Sequence, residues 1–315
     1  MSVASPNLTG MTTTAADSPP TSGAPGEGGP GPGGRTELTI VGSLSPSRAS
    51  DFKTCPLLYR FRSIDRLPER PSAAATRGTL VHAVLERLFD LPLGQRSPAA
   101  AEALVEPEWQ RLRTEVPELT ELFETPEALA EWLASARALL EGYFTLEDPN
   151  RLVPAERERL VEVVLESGLR LRGFVDRIDV APTGDIRVVD YKTGAAPRES
   201  FEGKAMFQLK FYALVIWRTR GVVPRLLRLL YLGDREVLDY VPDPDELVRF
   251  ERTLQAIWAA IDRATAARDF RPNPGPLCGW CDHQALCPAH GGTPPPFPDA
   301  LPPITESVTT PASED

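Results

Sequence analysis

Residues 168–194, GLRLRGFVDRIDVAPTGDIRVVDYKTG, decide the fold: two runs of alternating apolar side chains flank a turn, and each run carries a carboxylate. Ile178, Val180, Ile186 and Val188 are the branched residues that strands favour, and Pro182 and Gly184 punctuate the loop between them. A β-hairpin centred on Thr183 sets Asp176 directly opposite Asp190, and alternation puts Lys192 on the Asp190 face. Asp179 is out of phase with Asp176 and falls on the opposite side. Directly opposed side chains stand about 4.5 to 5.5 Å apart at Cβ, so two like charges there need compensation. A divalent cation supplies it, because hard cations take carboxylate oxygens, and two aspartates beside a lysine suit metal-activated hydrolysis at a phosphate. Asp-x-Lys alone is a common tripeptide, equally at home on a solvated hairpin.

Other features stand in order around the hairpin. Upstream, Gly78 to His82 reads GTLVH and opens an apolar helical stripe of Leu80, Val84, Leu85 and Leu88. Downstream, Gln208 and Tyr212 are i and i+4 in FEGKAMFQLKFYALVIW and share one helical face. Cys55 precedes the core, within a stretch that reads as one helix from LSPSR onward with Ser45 or Ser47 as its N-cap. Cys278, Cys281 and Cys287 follow the core with Cys-x2-Cys-x5-Cys spacing. Four thiols in a chain without a secretion signal indicate a metal or cluster site rather than a disulfide scaffold. Their spacing leaves zinc and an iron–sulfur cluster open, and His283 and His290 allow a mixed zinc site.

GFVDRID followed by VVDYKTG resembles motifs II and III of the PD-(D/E)xK nuclease superfamily, in particular its RecB-type branch. Gly78 to His82 resembles that branch's upstream Gly-x-x-x-His, and Gln208 to Tyr212 its downstream Gln-x-x-x-Tyr, so the resemblance runs from about Leu44 to His290. It implies an α/β fold with a restriction-endonuclease-like core, a central mixed sheet flanked by helices. It also implies a metal-dependent DNA nuclease, an exonuclease of repair or recombination, with CRISPR spacer acquisition as the alternative pathway. Asp176, Asp190, His82 and the Tyr191 carbonyl would hold Mg²⁺ or Mn²⁺, and Lys192 would act on the attacking water or the developing charge. Gln208 and Tyr212 would position the DNA strand and the lysine, and Glu162 matches an acidic position often seen before the hairpin. The one-plus-three cysteines resemble those of iron–sulfur members, including the AddB nuclease domain and CRISPR-associated relatives. That resemblance implies a [4Fe-4S] cluster clasping Cys55 to Cys278, Cys281 and Cys287, with zinc as the alternative.

Two rival readings share these residues: a non-catalytic DNA-binding or assembly subunit of a helicase-nuclease or CRISPR adaptation complex, and a zinc-binding structural protein. No Gly-x-x-x-x-Gly-Lys-Ser/Thr stretch is present, so any helicase would be a separate partner.

Composition sets the boundaries. Residues 1–36 and 291–315 are rich in Gly, Pro, Ser and Thr or in proline and acid, and read as disordered tails around one domain at 37–290. Within it, 98–147 reads as an inserted helical region and 270–290 as a cysteine segment. No signal peptide or membrane span is evident, which points to the cytoplasm. The net charge of -10 argues against a nucleic-acid partner until its distribution is considered. Residues 101–160 carry 14 acidic and 6 basic side chains, whereas Arg48, Lys53, Arg60, Arg62, Arg66 and Arg70 outnumber the acids between Ser47 and Arg70. The latter surface is the expected DNA track.

Overall fold

A computed structural model describes residues 40–196 and 202–301. The expected tail at 1–36, and 302–315 of the C-terminal one, lie outside the described residues. Six strands form one mixed sheet. They are β1 (Gly42–Leu44), β2 (Glu156–Val164), β3 (Leu169–Val180), β4 (Ile186–Lys192), β5 (Leu226–Tyr231) and β6 (Glu236–Tyr240). The hairpin has the register read from the sequence: Val180 pairs with Ile186, Ile178 with Val188 and Arg177 with Val189, around a turn in which Gly184 takes φ 86°. β4 and β5 run parallel, and β6 returns antiparallel on β5.

Strand β3 organises the site because it has three partners. β2 follows one edge of β3 from Arg170 to Ile178. The other edge is shared by β1, parallel at Leu169 to Leu171, and β4, antiparallel at Arg177 to Val180. Between them residues 172–176 have no strand partner on that edge. The gap ends at Asp176.

Neighbouring side chains on the central strands go to opposite faces, as fully covered strands require. Val188 and Leu229 pack with Phe211, Leu214, Phe250 and Leu254 on one face. These belong to α6 (Glu202–Arg220) and α7 (Pro244–Ala267), joined by α1 (Pro46–Thr54) and the short α2 (Pro56–Tyr59). Val189 and Leu230 pack on the other face against α3 (Ala73–Leu88), α4 (Pro98–Glu115) and α5 (Pro126–Leu146), where Trp109, Leu133 and Tyr143 are buried. The helical region expected at 98–147 thus builds, with α3, the second layer of the sandwich. Among the described residues no helix is long and apolar enough to cross a membrane.

Two boundaries differ from the sequence reading. Cys55 does not sit on a helix: it is extended, at φ -159° and ψ 112°, between α1 and α2. Pro56 is the cause, since the ring of a proline disfavours helical backbone in the residue before it. Packed chain also runs past residue 290, for Phe297 stacks on Phe270 and Arg60 lies over its ring.

Candidate active site

The hairpin register brings Asp176 and Asp190 to neighbouring positions, but the ladder stops one pair short of them. Instead the Asp176 carboxylate fills the opening and accepts the Tyr191 N–H at 2.7 Å. It is thereby fixed by its partner strand's backbone while the edge beyond it stays open. Val175 and Ile178, three residues apart, pack in the same core cluster, so strict alternation slips at Asp176. Across from it on β2 the slip is matched by Glu158, which has φ 43°. That conformation costs a non-glycine residue about 1 to 2 kcal/mol, and such strain is typically kept where a site requires it.

Asp190 is 2% exposed. Its carboxylate takes Lys192 Nζ at 2.6 Å and Gln208 Nε2 at 3.0 Å. Gln208 turns its own oxygen to Lys192 at 2.7 Å, and its amide also donates to the Tyr212 hydroxyl at 3.0 Å. Gln208 and Tyr212, one turn apart on α6, thus pin the acid and the lysine together. Gly173 makes room for this: a Cβ there would lie 2.9 Å from the Tyr212 ring. Burial, then the neighbouring Asp176 charge, raise the Asp190 carboxyl to about 6 despite Lys192.

His82 reaches the same place from α3. Its Nε2 lies 3.0 Å from the Tyr191 carbonyl, which only a protonated Nε2 can satisfy, so Nδ1 faces the acids: Asp176 at 3.5 Å and Glu158 at 3.7 Å. Burial works against its protonation, but the Asp176 charge and hydrogen bond, with Glu158 and Asp190, outweigh it and push the imidazole up to about 10. The carboxylates around Nδ1 thus favour positive charge at that position. His82, Glu158 and Asp176 each offer a ligand atom within 4.8 Å of the others. One imidazole and two carboxylates suit Mn²⁺ and Mg²⁺.

Of the residues expected here, Asp176, His82, Asp190, Lys192, Gln208 and Tyr212 come together. The Tyr191 carbonyl points into the site but accepts from His82. Glu162 does not join: it lies opposite Arg172, one pair beyond Gly173 and away from Asp176 by the same ladder that brings Glu158 to it. Glu158 was legible in principle, because the tight turn closed by the Gly168 N–H on the Leu165 carbonyl sets the β2–β3 register that places it across from Asp176. Asp179 faces the other side, bound to Arg177 and Arg187.

Lys192, Gln208 and Tyr212 line a groove of about 1220 Å³. Of the basic stretch expected to track DNA, only Arg48 and Arg66 line it; Arg62 is tied to Asp51 and Glu69, and Arg60 to Asp65. Arg170 and Arg172 of β3 join the lining, although the sequence reading passed over them.

A second cavity, of about 240 Å³, is lined by Cys55, Cys278, Cys281 and Cys287 together. None is in a disulfide. The Asn273 N–H donates to Cys55 Sγ at 3.4 Å and the Gly275 N–H to Cys278 Sγ at 3.3 Å. Four converging thiols with backbone donors fit a thiolate-bound metal group. His283 is withdrawn from that set: it is buried against Phe61 with Nε2 3.0 Å from Glu69, whereas His290 lines the cavity.

The sequence model of the PD-(D/E)XK nuclease superfamily matches residues 43–288. The Gene 69 protein of Mycobacterium phage D29 is 27% identical over 274 residues, 78% of this chain and 96% of the phage protein. That of Mycobacterium phage L5 is 24% identical over 292 residues, 79% of this chain and 97% of the phage protein. Among solved structures, a "Putative exonuclease" from Eubacterium rectale superposes with a TM-score of 0.49 at 12% identity, covering 78% of this chain and 88% of that one.

Proposed function

The chain belongs to the PD-(D/E)XK nuclease superfamily, and on that premise we propose that it is a metal-dependent deoxyribonuclease of the RecB type, an exonuclease of repair or recombination. The observation that carries the reading is the convergence of Asp176, Asp190, Lys192 and His82, with Lys192 lining a groove of about 1220 Å³. His82, Glu158 and Asp176 would hold a divalent cation, with Asp190 and the Tyr191 carbonyl beside them. Mg²⁺ or Mn²⁺ so bound supplies Lewis-acid polarisation of a phosphate oxygen and lowers the pKa of a bound water.

The chain's own residues do the rest. Lys192, held between Asp190 and Gln208, presents its ammonium to the groove, where it offsets charge that develops on the phosphate during attack. Asp190 and Gln208 keep that ammonium in place before the substrate arrives, so no reorganisation is needed at the moment of reaction. Tyr212 positions Gln208. His82, locked by the Tyr191 carbonyl, presents Nδ1 in one orientation.

A [4Fe-4S] cluster on Cys55, Cys278, Cys281 and Cys287 is part of the proposal. The shared cavity and the N–H donors on two sulfurs support a thiolate-bound group, and the diversion of His283 to Glu69 leaves His290 as the imidazole beside the four cysteines. Such a group would clasp the α1–α2 break to the C-terminal segment.

The test is cleavage of end-labelled single- and double-stranded DNA with Mg²⁺, with Mn²⁺ and with a chelator, by the native chain and by Lys192→Ala. Metal-dependent release of nucleotides by the native chain alone is expected. Equal cleavage by a pure, folded Lys192→Ala preparation would contradict the assignment. Iron, sulfide and zinc content of protein purified without oxygen tests the cluster, about four irons per chain being expected.

A further inference from the structure

The groove beside Lys192 continues to a place that the catalytic residues do not use. It is the gap in the β3 edge between β1 and β4, and the N-terminus of α1 enters it: the Pro46 ring lies 3.4 Å from where a Cβ on Gly173 would stand. The helix has nine residues, is capped by Ser45 Oγ on the Arg48 N–H, and has no acidic side chain in its first turn. Nothing on the helix itself neutralises its positive end, which favours an anion.

A second observation points to a ligand. Ser43 on β1 lines the same groove, is 7% exposed, and its Oγ has no hydrogen-bond partner among the described residues. A buried hydroxyl left unpaired is costly unless something supplies its partner. The charge of the groove has the matching sign: among the described residues Arg48, Arg66, Arg170 and Arg172, with the Asp190-bound Lys192, line it against one carboxylate, Asp262.

The third observation fixes the kind of anion. Phe174, paired with Leu160 of β2 but without a partner on the other edge of β3, lines the groove and is 56% exposed in the middle of a strand. Its neighbours Val175 and Leu171 are buried. A paired base in a duplex offers only its edges, so an aromatic face in a groove is covered by a base only when that base is unpaired.

We propose that the first turn of α1, Ser43 and the ring of Phe174 form a nucleotide subsite, holding one phosphate and stacking one unpaired base of the strand under cleavage. The inference rests on the nuclease reading for its polymer, and it adds that the strand enters single. The strand's phosphodiester, not free inorganic phosphate, is the occupant, because the stacking platform and the phosphate cradle share one groove.

The test reads binding apart from cleavage, using the full chain with divalent cations omitted. Fluorescence anisotropy follows a labelled oligodeoxythymidine, an abasic strand with the same number of phosphates, and a duplex of equal length. Phe174→Ala is expected to weaken the thymidine strand about 10-fold, the scale of one lost base stack. It should leave the abasic strand unchanged, and Phe174→Trp should restore binding. Ser43→Ala should weaken both single strands by about 3-fold to 10-fold, with its thermal midpoint as the check on folding. Inorganic phosphate at equal phosphate concentration should not compete.

Unchanged thymidine binding by Phe174→Ala, equal loss on both single strands, duplex binding as tight as single-strand binding, or competition by inorganic phosphate would each overturn the subsite. If the binding pattern holds while the native chain cuts no DNA with Mn²⁺, the nuclease reading fails and the subsite stands. Cleavage together with indifferent Phe174→Ala binding gives the converse.

Discussion

The hairpin of β3 and β4 carries a charge cluster on each face, and the two are built by opposite rules. On the α3–α5 face Arg177 is completely buried, yet every partner it needs is present: Glu147 takes two of its N–H groups at 2.8 and 2.9 Å, Asp179 stands at 3.0 Å and the Tyr191 hydroxyl at 2.7 Å. Arg187 adds a second cation to Asp179 at 2.7 Å. Two arginines meet two acids. At the other cluster Glu158, Asp176 and Asp190 crowd together with one lysine and one histidine, Asp190 is raised to about 6 by burial and Asp176, and a groove leads to the lysine. Buried charge balanced within the chain holds a fold together. Buried charge left in surplus and opened to solvent marks a place for an outside cation and an anionic substrate.

That contrast breaks if either cluster behaves like the other. Lys192→Ala should lower cleavage by at least about 10³-fold, the scale of removing a preorganised charge from a transition state, with the thermal midpoint unmoved; a large loss of stability would make the open cluster structural. Arg177→Met should do the reverse. It strands Glu147 and Asp179 in the interior and should cost about 3 to 5 kcal/mol in denaturant unfolding, while activity per folded molecule stays within a few-fold. Glu158→Gln should raise the Mn²⁺ concentration needed for half-maximal cleavage by about 10-fold to 100-fold, a loss typical of an orienting or ligating group, whereas Glu162→Gln should leave it alone. Tyr212→Phe removes one hydrogen bond to Gln208 and should cost about 1 kcal/mol, read as a several-fold drop in kcat.

The two clusters also differ in how far the sequence discloses them. The hairpin register followed from alternation and one turn, and with it the neighbouring positions of Asp176 and Asp190, the Lys192 contact and the exclusion of Asp179. His82, Gln208 and Tyr212 were found through their place in an ordered motif set rather than through geometry. The tight β2–β3 turn fixes the register that sets Glu158 across from Asp176, but its approach to the site also depends on a positive φ and a slip in alternation, and neither of these leaves a mark in residue type. Arg177 reads as one more charged strand residue; that it is buried depends on Glu147, thirty positions earlier at the end of α5. The break at Cys55 was written in Pro56 and overlooked, since the apolar spacing around it continues as though the helix did. Arg172 and Phe174 gain meaning only from the gap between β1 and β4, which is a property of the sheet and not of any segment.

A cation site made of the surplus carboxylates should show itself in a titration of Mn²⁺ followed by its electron paramagnetic resonance, on the native chain, Asp176→Asn and Arg177→Met. The native chain and folded Arg177→Met should deplete the free-ion signal alike, and Asp176→Asn should lose this binding. Equal Mn²⁺ binding by native and Asp176→Asn protein would contradict it.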